Sequence, residues 1–280
     1  MRMRLCARGD VIEFPRKPLV MGIVNLSPDS FSGDGVEGVD RAIQYAEQQI
    51  ADGADWIDLG AESARTNRAA ISEQEEIDRF CKFIERWNCL GYANWLSINT
   101  WRPAVAKAVL AVGGALLNDI GGLPTDENAR ICRDVGVALL VMHSVGLPKV
   151  PHTHVGWDNV MESLTKFFSE KLAMTDAVGL PRDAIVLDPG IDFAKQKEDN
   201  LRIYRELSKL SCFERPVLLP VSRKTVIGEC LGIADAAERD AGTIACIVQG
   251  VIQGAQIFRV HNVKAAVQTI AMLRAIEEGS

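Results

Sequence analysis

Cationic and hydroxyl side chains follow two apolar runs near the C-terminal end of this chain. Ser222, Arg223 and Lys224 come directly after the run 216–221, and Arg259 and His261 end the run that starts at residue 257. Arginine and lysine bind phosphate oxygens through charge-assisted hydrogen bonds. Cations at the start of a helix oppose its dipole, so a bound anion explains Arg223 and Lys224 better than helix stability does. The pattern therefore predicts a site for phosphate or pyrophosphate.

Carboxylate and amide side chains end three other apolar runs. Asp188 follows the run 185–187, Asn118 follows 115–117, and Asn99 follows 96–98. A carboxylate can accept two parallel N–H bonds from a ring with adjacent amide and amino donors, such as the edge of a pterin or a guanine. An asparagine can both donate and accept. Asp188 could instead only cap the following Pro-Gly turn, and the sequence leaves that alternative open.

The segment 25–35, which follows the first apolar run, is too long and polar for a minimal connection between a strand and a helix. Its glycines suit a mobile lid. Asn25, at the start of the segment, could reach a metal ion bound to the phosphates. An ordinary surface loop is the alternative interpretation of the same residues.

Eight apolar runs of strand length alternate with segments of helical period along the chain. The predicted helices are 39–52, 73–87, 103–112, 127–135, 157–178, 199–210, 236–253 and 263–276. This α/β alternation predicts a single (β/α)8 TIM barrel, in which the polar strand ends meet at the C-terminal face. A Rossmann-like sheet is the main rival, but no GxGxxG follows the first strand. No linker-like segment divides the chain, so one domain over residues 1–280 is predicted.

The composition argues against several classes of protein. A net charge of −6 disfavours a general nucleic-acid binder, and no stretch approaches the roughly 18 apolar residues of a membrane span. The N-terminus lacks the apolar segment of a secretory signal. We therefore expect a cytoplasmic protein whose partner is a small metabolite. The 7 cysteines are odd in number, lack CxxC spacing and are expected to be reduced and structural.

Taken together, four segments give the chain a resemblance to dihydropteroate synthase, the folate-pathway family that joins a pterin to p-aminobenzoate. The first is Asn25-Leu-Ser-Pro-Asp-Ser-Phe-Ser. The second is Asp188-Pro-Gly190, continued through Phe193 and Lys195. Ser222-Arg-Lys224 and Arg259-Val-His261 complete the set, and the resemblance extends over nearly the whole chain.

The resemblance implies a homodimeric barrel that uses Mg²⁺ and binds dihydropterin pyrophosphate and p-aminobenzoate. It implies catalytic roles for Lys224, Asp188 and Asn99. The implied pterin-binding residues are Asn99, Asn118, Met142, Asp188, Phe193 and Lys224. The implied pyrophosphate-binding residues are Asn25, which is also the metal ligand, Arg65, Arg259 and His261. The implied arylamine-binding residues are Pro28, Asp29, Ser30, Phe31 and Ser222.

Some positions depart from the family pattern. Asn99 stands where the family has aspartate, and residues 64–67 read Ala-Arg-Thr-Asn instead of Thr-Arg-Pro-Gly. Pro220 and Asp192 each replace a glycine. These departures leave two alternatives open, namely a relative that uses a substituted arylamine, as in a tetrahydromethanopterin-type pathway, and a non-catalytic pterin-binding protein. A corrinoid-linked methyltransferase ranks last, because methyl transfer needs no pyrophosphate site.

Overall fold

The computed structural model describes residues 2–26, 36–62, 69–92, 94–146, 148–150 and 155–278. The strands within these residues are β1 (Met3–Ala7), β2 (Asp10–Phe14), β3 (Leu19–Asn25), β4 (Trp56–Gly60), β5 (Trp95–Asn99), β6 (Leu116–Asp119), β7 (Ala138–Met142), β8 (Ile185–Asp188), β9 (Leu218–Pro220) and β10 (Ile257–Val260). The helices are α1 (Val36–Ala51), α2 (Glu73–Leu90), α3 (Pro103–Val112), α4 (Glu127–Val135), α5 (Val160–Ala177), α6 (Lys197–Glu206), α7 (Thr225–Leu231), α8 (Asp240–Ile252) and α9 (Val263–Glu278).

Strands β3 to β10 form one parallel sheet in the order β8-β7-β6-β5-β4-β3-β10-β9. A parallel bridge between Leu187 and Val217 joins the two outer strands, so the sheet closes on itself. Each of these strands is followed along the chain by at least one helix. The predicted (β/α)8 TIM barrel is confirmed, and the open Rossmann-like sheet is excluded because the strands close into a ring.

Helix α2 illustrates how the sequence specifies the outer layer. The Ser72 hydroxyl accepts a hydrogen bond from the Glu75 backbone N–H at 3.2 Å, which caps the first turn. Gly91 ends the helix with φ at 72°. Between these caps one face is apolar at helical spacing and lies against the sheet; its buried aromatic and aliphatic side chains are Phe80, Phe83, Ile84 and Trp87. Burying side chains of this size stabilises the fold by about 1.5–3 kcal/mol each.

Alternation along the strands builds two layers inside the barrel. The first layer is apolar and consists of side chains such as Trp56, Leu116, Leu140, Val186 and Ile257. Side chains two residues apart on a strand point to the same face of the sheet. The next layer, nearer the C-terminal ends of the same strands, is therefore Asp58, Asn118, Met142, Asp188 and Arg259. Three of the six predicted pterin-binding residues, Asn118, Met142 and Asp188, belong to this layer.

The antiparallel hairpin of β1 and β2 closes the N-terminal end of the barrel, and it was not predicted from the sequence. Leu5 and Phe14 of the hairpin join the inner apolar cluster. The indole N–H of Trp95 donates to Asp10 Oδ2 at 3.2 Å, and the Trp95 ring stacks on Trp56 with 5.0 Å between ring centroids. The C-terminal face is consequently the open end of the barrel.

Several predicted helix bounds differ from those of the structure. The segments 103–112 and 127–135 coincide with α3 and α4. The predicted helix 157–178 begins later, at Val160, because Asn159 Oδ1 accepts the N–H of Met161 and so caps the helix there. The predicted helix 199–210 is divided between α6 and a 3-10 segment, Leu207–Phe213. Helix α7 follows the Arg223-Lys224 pair. The sequence analysis expected a helix to start there but predicted no bounds for it.

All 7 cysteines are free thiols, but Cys89, Cys212 and Cys230 are exposed, so these three are not core residues. No helix in the described part of the chain is both long enough and apolar enough to cross a membrane.

Candidate active site

Asp58 lies at the centre of the polar layer, fully buried, and accepts hydrogen bonds from four side chains on β5, β6 and β10. Ser97 Oγ donates to Oδ1 at 2.5 Å and Asn118 Nδ2 donates to the same oxygen at 3.1 Å. Asn99 Nδ2 and Arg259 Nε donate to Oδ2 at 3.3 and 2.7 Å. The sequence analysis missed Asp58 as a site residue. Its position two residues after Trp56, on the inward face of β4, is the signal that identifies it.

The two asparagines are oriented by this carboxylate. Because the amide nitrogens of Asn99 and Asn118 both face Asp58, their oxygens are left as acceptors. Asn118 is 2% exposed, and its Oδ1 has no hydrogen-bond partner among the described residues. A buried acceptor without a partner is costly, so this atom fits a ligand that brings an N–H donor.

Asp188 makes the turn contact considered for it, and its role in binding a ring stays a prediction. Its Oδ1 accepts the backbone N–H of Gly190 at 2.7 Å, which is the turn contact, and Oδ2 is left for a second donor. Burial raises the pKa of Asp188 to about 6, although the Gly190 N–H and the cations Lys224, Lys195 and Arg259 act in the opposite direction. The carboxylate is therefore ready to accept N–H donors at neutral pH.

Lys224, Phe193 and Met142 lie next to Asp188. The Lys224 ammonium donates to the Ile191 carbonyl at 2.9 Å and lies 5.2 Å from the centre of the Phe193 ring. Burial lowers the pKa of Lys224. Met142, at the end of β7, is 1% exposed, and Phe193 packs against the same inner cluster. The lysine and these two apolar side chains therefore lie together beside the Asp188 carboxylate.

Arg259 and His261 present donors on the other side of Asp58. The bond from Arg259 Nε to Asp58 fixes the guanidinium plane, and within the described chain Nη1 and Nη2 have no protein partner. His261 Nδ1 lies 2.8 Å from Ser222 Oγ, which also accepts the His261 backbone N–H at 3.1 Å. Burial lowers the pKa of His261 to about 4. The ring is thus neutral at pH 7, with a proton on one of its two nitrogens.

The expectation that a bound anion explains both cations after β9 is wrong for Arg223. Its guanidinium forms a bidentate pair with Asp240, with Nε–Oδ1 at 2.7 Å and Nη2–Oδ2 at 3.1 Å. The first backbone N–H groups of α7 also have a partner within the protein, because the Asp192 carboxylate accepts those of Thr225 and Val226. The protein supplies these two anions itself, and of the adjacent cations only Lys224 faces the polar layer.

A family profile described as pterin binding enzyme matches residues 21–261. The dihydropteroate synthase of Escherichia coli K12 is 33% identical over 274 residues, which covers 98% of this chain and 96% of that protein. The chain belongs to the dihydropteroate synthase family.

Solved structures of family members have the same fold. The dihydropteroate synthase of Yersinia pestis in complex with a sulfonamide drug matches with a TM-score of 0.89 and 34% identity, covering 99% of this chain and 100% of that one. The Xanthomonas albilineans enzyme in complex with 7,8-dihydropteroate matches with a TM-score of 0.87 and 31% identity, covering 98% of each chain.

Part of the site inferred from the dihydropteroate synthase resemblance lies outside the described residues, namely Pro28, Asp29, Ser30, Phe31 and Arg65. Glu62, which directly precedes residues 63–68, belongs to an ion-pair network. Glu62 bonds Arg102 and Lys149, each at 2.9 Å, and Arg102 also bonds Glu76 at 2.6 Å. This network fixes the Glu62 side chain, three residues before Arg65 in the sequence.

The loop after β8 holds Asp188 through Gly190 and Lys195. Gly190 has φ at 67°, and a Cβ added there would overlap the His143 carbonyl oxygen. Lys195 Nζ donates to the Gly190 and Phe193 carbonyls at 2.9 and 3.0 Å and contacts His143 Nδ1 at 2.9 Å. Burial lowers the pKa of Lys195 to about 7. The buried lysine therefore ties this loop to the end of β7.

We expect Gly190→Ala to destabilise the protein far more than Gly254→Ala. Both positions have positive φ, which costs alanine about 1–2 kcal/mol, but nothing lies within 4 Å of a Cβ at Gly254. The backbone overlap at Gly190 should add about 1–3 kcal/mol. Urea unfolding of the two variants measures the difference, and equal losses would contradict the close approach of Gly190 to His143.

Proposed function

We propose that this protein condenses 6-hydroxymethyl-7,8-dihydropterin pyrophosphate with p-aminobenzoate, giving 7,8-dihydropteroate and pyrophosphate. The observation that carries the proposal is the pairing of two kinds of group in one barrel mouth. Among the described residues, no side chain or backbone group donates to Asn118 Oδ1 or Asp188 Oδ2, and none accepts from Nη1 or Nη2 of Arg259. A ring rich in N–H donors that carries an anionic leaving group satisfies both.

The pterin ring is assigned to the acceptors. Asp188 Oδ2 and the Oδ1 atoms of Asn118 and Asn99 accept its N–H groups. Met142 and Phe193 bound its faces. Charge-assisted bonds to a carboxylate are worth about 1.5–3 kcal/mol each, so Asp188 contributes most to ring affinity and orientation.

The pyrophosphate is assigned to Arg259 and His261, with Lys224 nearby. The two terminal guanidinium nitrogens of Arg259 stabilise the charge that grows on the leaving group, and neutral His261 adds a donor in the tautomer in which Ser222 donates to Nδ1 and Nε2 carries the proton. As the bond from the pterin methylene carbon to the pyrophosphate oxygen breaks, the arylamine nitrogen forms the new C–N bond and loses a proton. The side chains act by positioning and charge stabilisation, and none has to become covalently attached.

Asn25 is the proposed protein ligand of Mg²⁺. It ends β3 opposite Gly60, and a Cβ at position 60 would lie 3.3 Å from Asn25 Oδ1, so the glycine keeps this oxygen accessible. Within the described residues, no cluster of three or more His, Cys, Asp or Glu side chains could hold a metal ion. One amide oxygen together with substrate phosphates and water fits the preference of Mg²⁺. When bound, the ion neutralises charge on the leaving pyrophosphate.

The arylamine is assigned to Pro28, Asp29, Ser30 and Phe31 on the family resemblance, and Arg65 is assigned to the pyrophosphate on the same ground. Ser222 is the arylamine-side residue among those described, and its hydroxyl is held by His261. The altered sequence at 64–67 is the feature that favours a substituted arylamine as the second candidate substrate.

A homodimer in the cytoplasm is the proposed assembly and location. Large apolar side chains are exposed on three consecutive helices that contact one another, α7, α8 and α9. They are Leu231, Ile252, Met272 and Ile276, each more than half exposed. A second copy of the chain would cover such a surface.

Pyrophosphate release from the dihydropterin pyrophosphate with Mg²⁺ tests the function. Release that depends on p-aminobenzoate is the expected result, and a faster rate with an N-substituted aminobenzoate would favour the second substrate. The Asn99→Asp variant is the matched comparison. Release by that variant alone would identify the native protein as a non-catalytic pterin-binding relative, and no release by either protein with either arylamine would overturn the proposal.

A further inference from the structure

Asp192 makes an unusual set of contacts in the loop between β8 and α6. Its backbone has φ at 69°, a conformation that residues other than glycine seldom adopt, although aspartate tolerates it better than most. Its carboxylate accepts the Thr225 and Val226 backbone N–H groups, the latter at 3.2 Å, and Asn200 Nδ2 at 3.2 Å. Asn200 Oδ1 accepts the Asp192 backbone N–H at 2.9 Å. One side chain therefore joins this loop to the first turn of α7.

Lys224 is the residue immediately before that turn. Its ammonium donates to the carbonyl of Ile191 at 2.9 Å and lies 5.2 Å from the centre of the Phe193 ring. Ile191 and Phe193 are the two chain neighbours of Asp192. Three consecutive residues thus hold Lys224 from both ends, since Asp192 fixes its backbone through α7 and the other two hold its ammonium group.

The charges around Lys224 make Asp192 its main electrostatic support. Burial lowers the pKa of Lys224, and Arg259 lowers it further. The carboxylates of Asp192 and Asp188 act against this, with Asp192 the stronger of the two. Lys195 is a further cation close to the same group. Asp188 faces the ring-binding layer, so Asp192 is the carboxylate that remains when a ligand engages Asp188.

We propose that Asp192 is a positioning residue for the reaction, because it holds Lys224 in place beside the pterin and pyrophosphate sites. The assignment of Lys224 to the reaction rests on the proposed function. The seating of Lys224 by Asp192 rests on the contacts alone and can be tested without substrate.

The test measures the acylation of Lys224 as a function of pH, by limited labelling with acetic anhydride and peptide mapping by mass spectrometry. Native protein is compared with Asp192→Asn, Asp192→Gly and the control Asp199→Asn. Asp199 is the matched control because its carboxylate also caps a helix, α6, through the Gln196 N–H at 2.9 Å, but does not act on Lys224. Circular dichroism and thermal unfolding establish that each variant is folded.

We expect the labelling midpoint of Lys224 to fall by about one pH unit in Asp192→Asn, which is the size of effect that an opposite charge exerts at close range. Asp192→Gly should show the same shift, and Asp199→Asn should leave the midpoint unchanged. A native midpoint in folded Asp192→Asn would overturn the positioning role, and so would an equal shift in Asp199→Asn.

Turnover adds a second readout. In Asp192→Asn the alkaline limb of the kcat/KM profile should move to lower pH by the same amount as the labelling midpoint, which a purely structural cap would not produce. An unmoved limb would overturn the positioning role. If the native protein shows no arylamine-dependent turnover at all, the proposed function fails, and the labelling still decides whether Asp192 seats Lys224.

Discussion

Replacing Asp188 with asparagine is expected to lower kcat/KM for the pterin pyrophosphate by about a thousandfold. Losing the charge-assisted bond to Oδ2 costs about 1.5–3 kcal/mol, and leaving a buried ring donor unsatisfied costs about 1–3 kcal/mol more; a thousandfold loss corresponds to about 4 kcal/mol. An amide offers a single acceptor oxygen, and its NH₂ group would face a ring donor. Steady-state kinetics on the purified variant measure the effect.

Asp119→Asn is the control for this prediction. Burial raises the pKa of Asp119 to about 6, as it does for Asp188, but Asp119 belongs to the outward face of β6. It accepts the Gly121 N–H at 2.8 Å and Asn128 Nδ2 at 2.9 Å. Its replacement should reduce stability and leave kcat/KM within a few-fold of native. Similar losses of kcat/KM in both variants would contradict the assignment of Asp188 to the pterin.

Comparing native protein with Asp188→Asn isolates the contribution of Asp188 to the pH dependence of stability. Its pKa is about 6 in the folded protein, against about 3.9 for an unfolded aspartate. Between these values the folded state binds the extra proton, so stability contributed by this group is present at low pH and is lost as pH rises through 6. The stability of native protein relative to Asp188→Asn should therefore decline by a few kcal/mol from pH 4 to pH 7. Pterin affinity should change in the opposite sense, because the ring requires the carboxylate.

Asp58→Asn is expected to lower kcat/KM by at least a hundredfold and to destabilise the fold by about 2–4 kcal/mol. One amide oxygen cannot accept from four donors, and Arg259 would lose the bond that orients its guanidinium. The informative measurement is product inhibition, since pyrophosphate should bind the variant much more weakly than native protein.

Asp55→Asn is the comparison for Asp58. Asp55 lies at the opposite end of the same barrel wall, where its Oδ2 accepts the Val20 N–H at 2.9 Å and its Oδ1 is 3.8 Å from Lys17 Nζ. Its replacement should cost some stability and leave pyrophosphate inhibition unchanged. Weakened inhibition in Asp55→Asn, or native inhibition in Asp58→Asn, would show that Asp58 does not position Arg259.

The residues at strand ends were predictable because their chemistry and their position coincide. Asp188, Asn118 and Arg259 each close an apolar run, and parallel strands bring such ends together. For Asp58 the sequence holds one signal, a single charged residue inside the strand Trp56–Gly60, whose other residues are apolar or glycine, but it does not reveal the partners of that carboxylate. Asp58 can accept from four side chains because the closed barrel brings the inward faces of β5, β6 and β10 close to that of β4.

Arg223 shows a second limit of prediction from the sequence. An arginine at a helix start suggested an external anion, yet its partner Asp240 lies 17 residues further along the chain, and the carboxylate that caps α7 lies 33 residues before Thr225. Contacts at such separations leave no local pattern. The hairpin of β1 and β2 was missed for a related reason, since its apolar residues complete a core that other strands begin.

The junction between β8 and β9 differs from the others in the barrel. In the described chain these strands share the single bridge Leu187–Val217, whereas each other neighbouring pair shares three or more. β9 also ends in Pro220, which has no N–H to donate. Asp188 ends β8, and Lys224 follows β9. The bonds from Thr225 and Val226 to Asp192 and from Lys224 to Ile191 join the two sides of this junction. At this junction side-chain contacts, more than backbone pairing, hold two neighbouring strands of the barrel together.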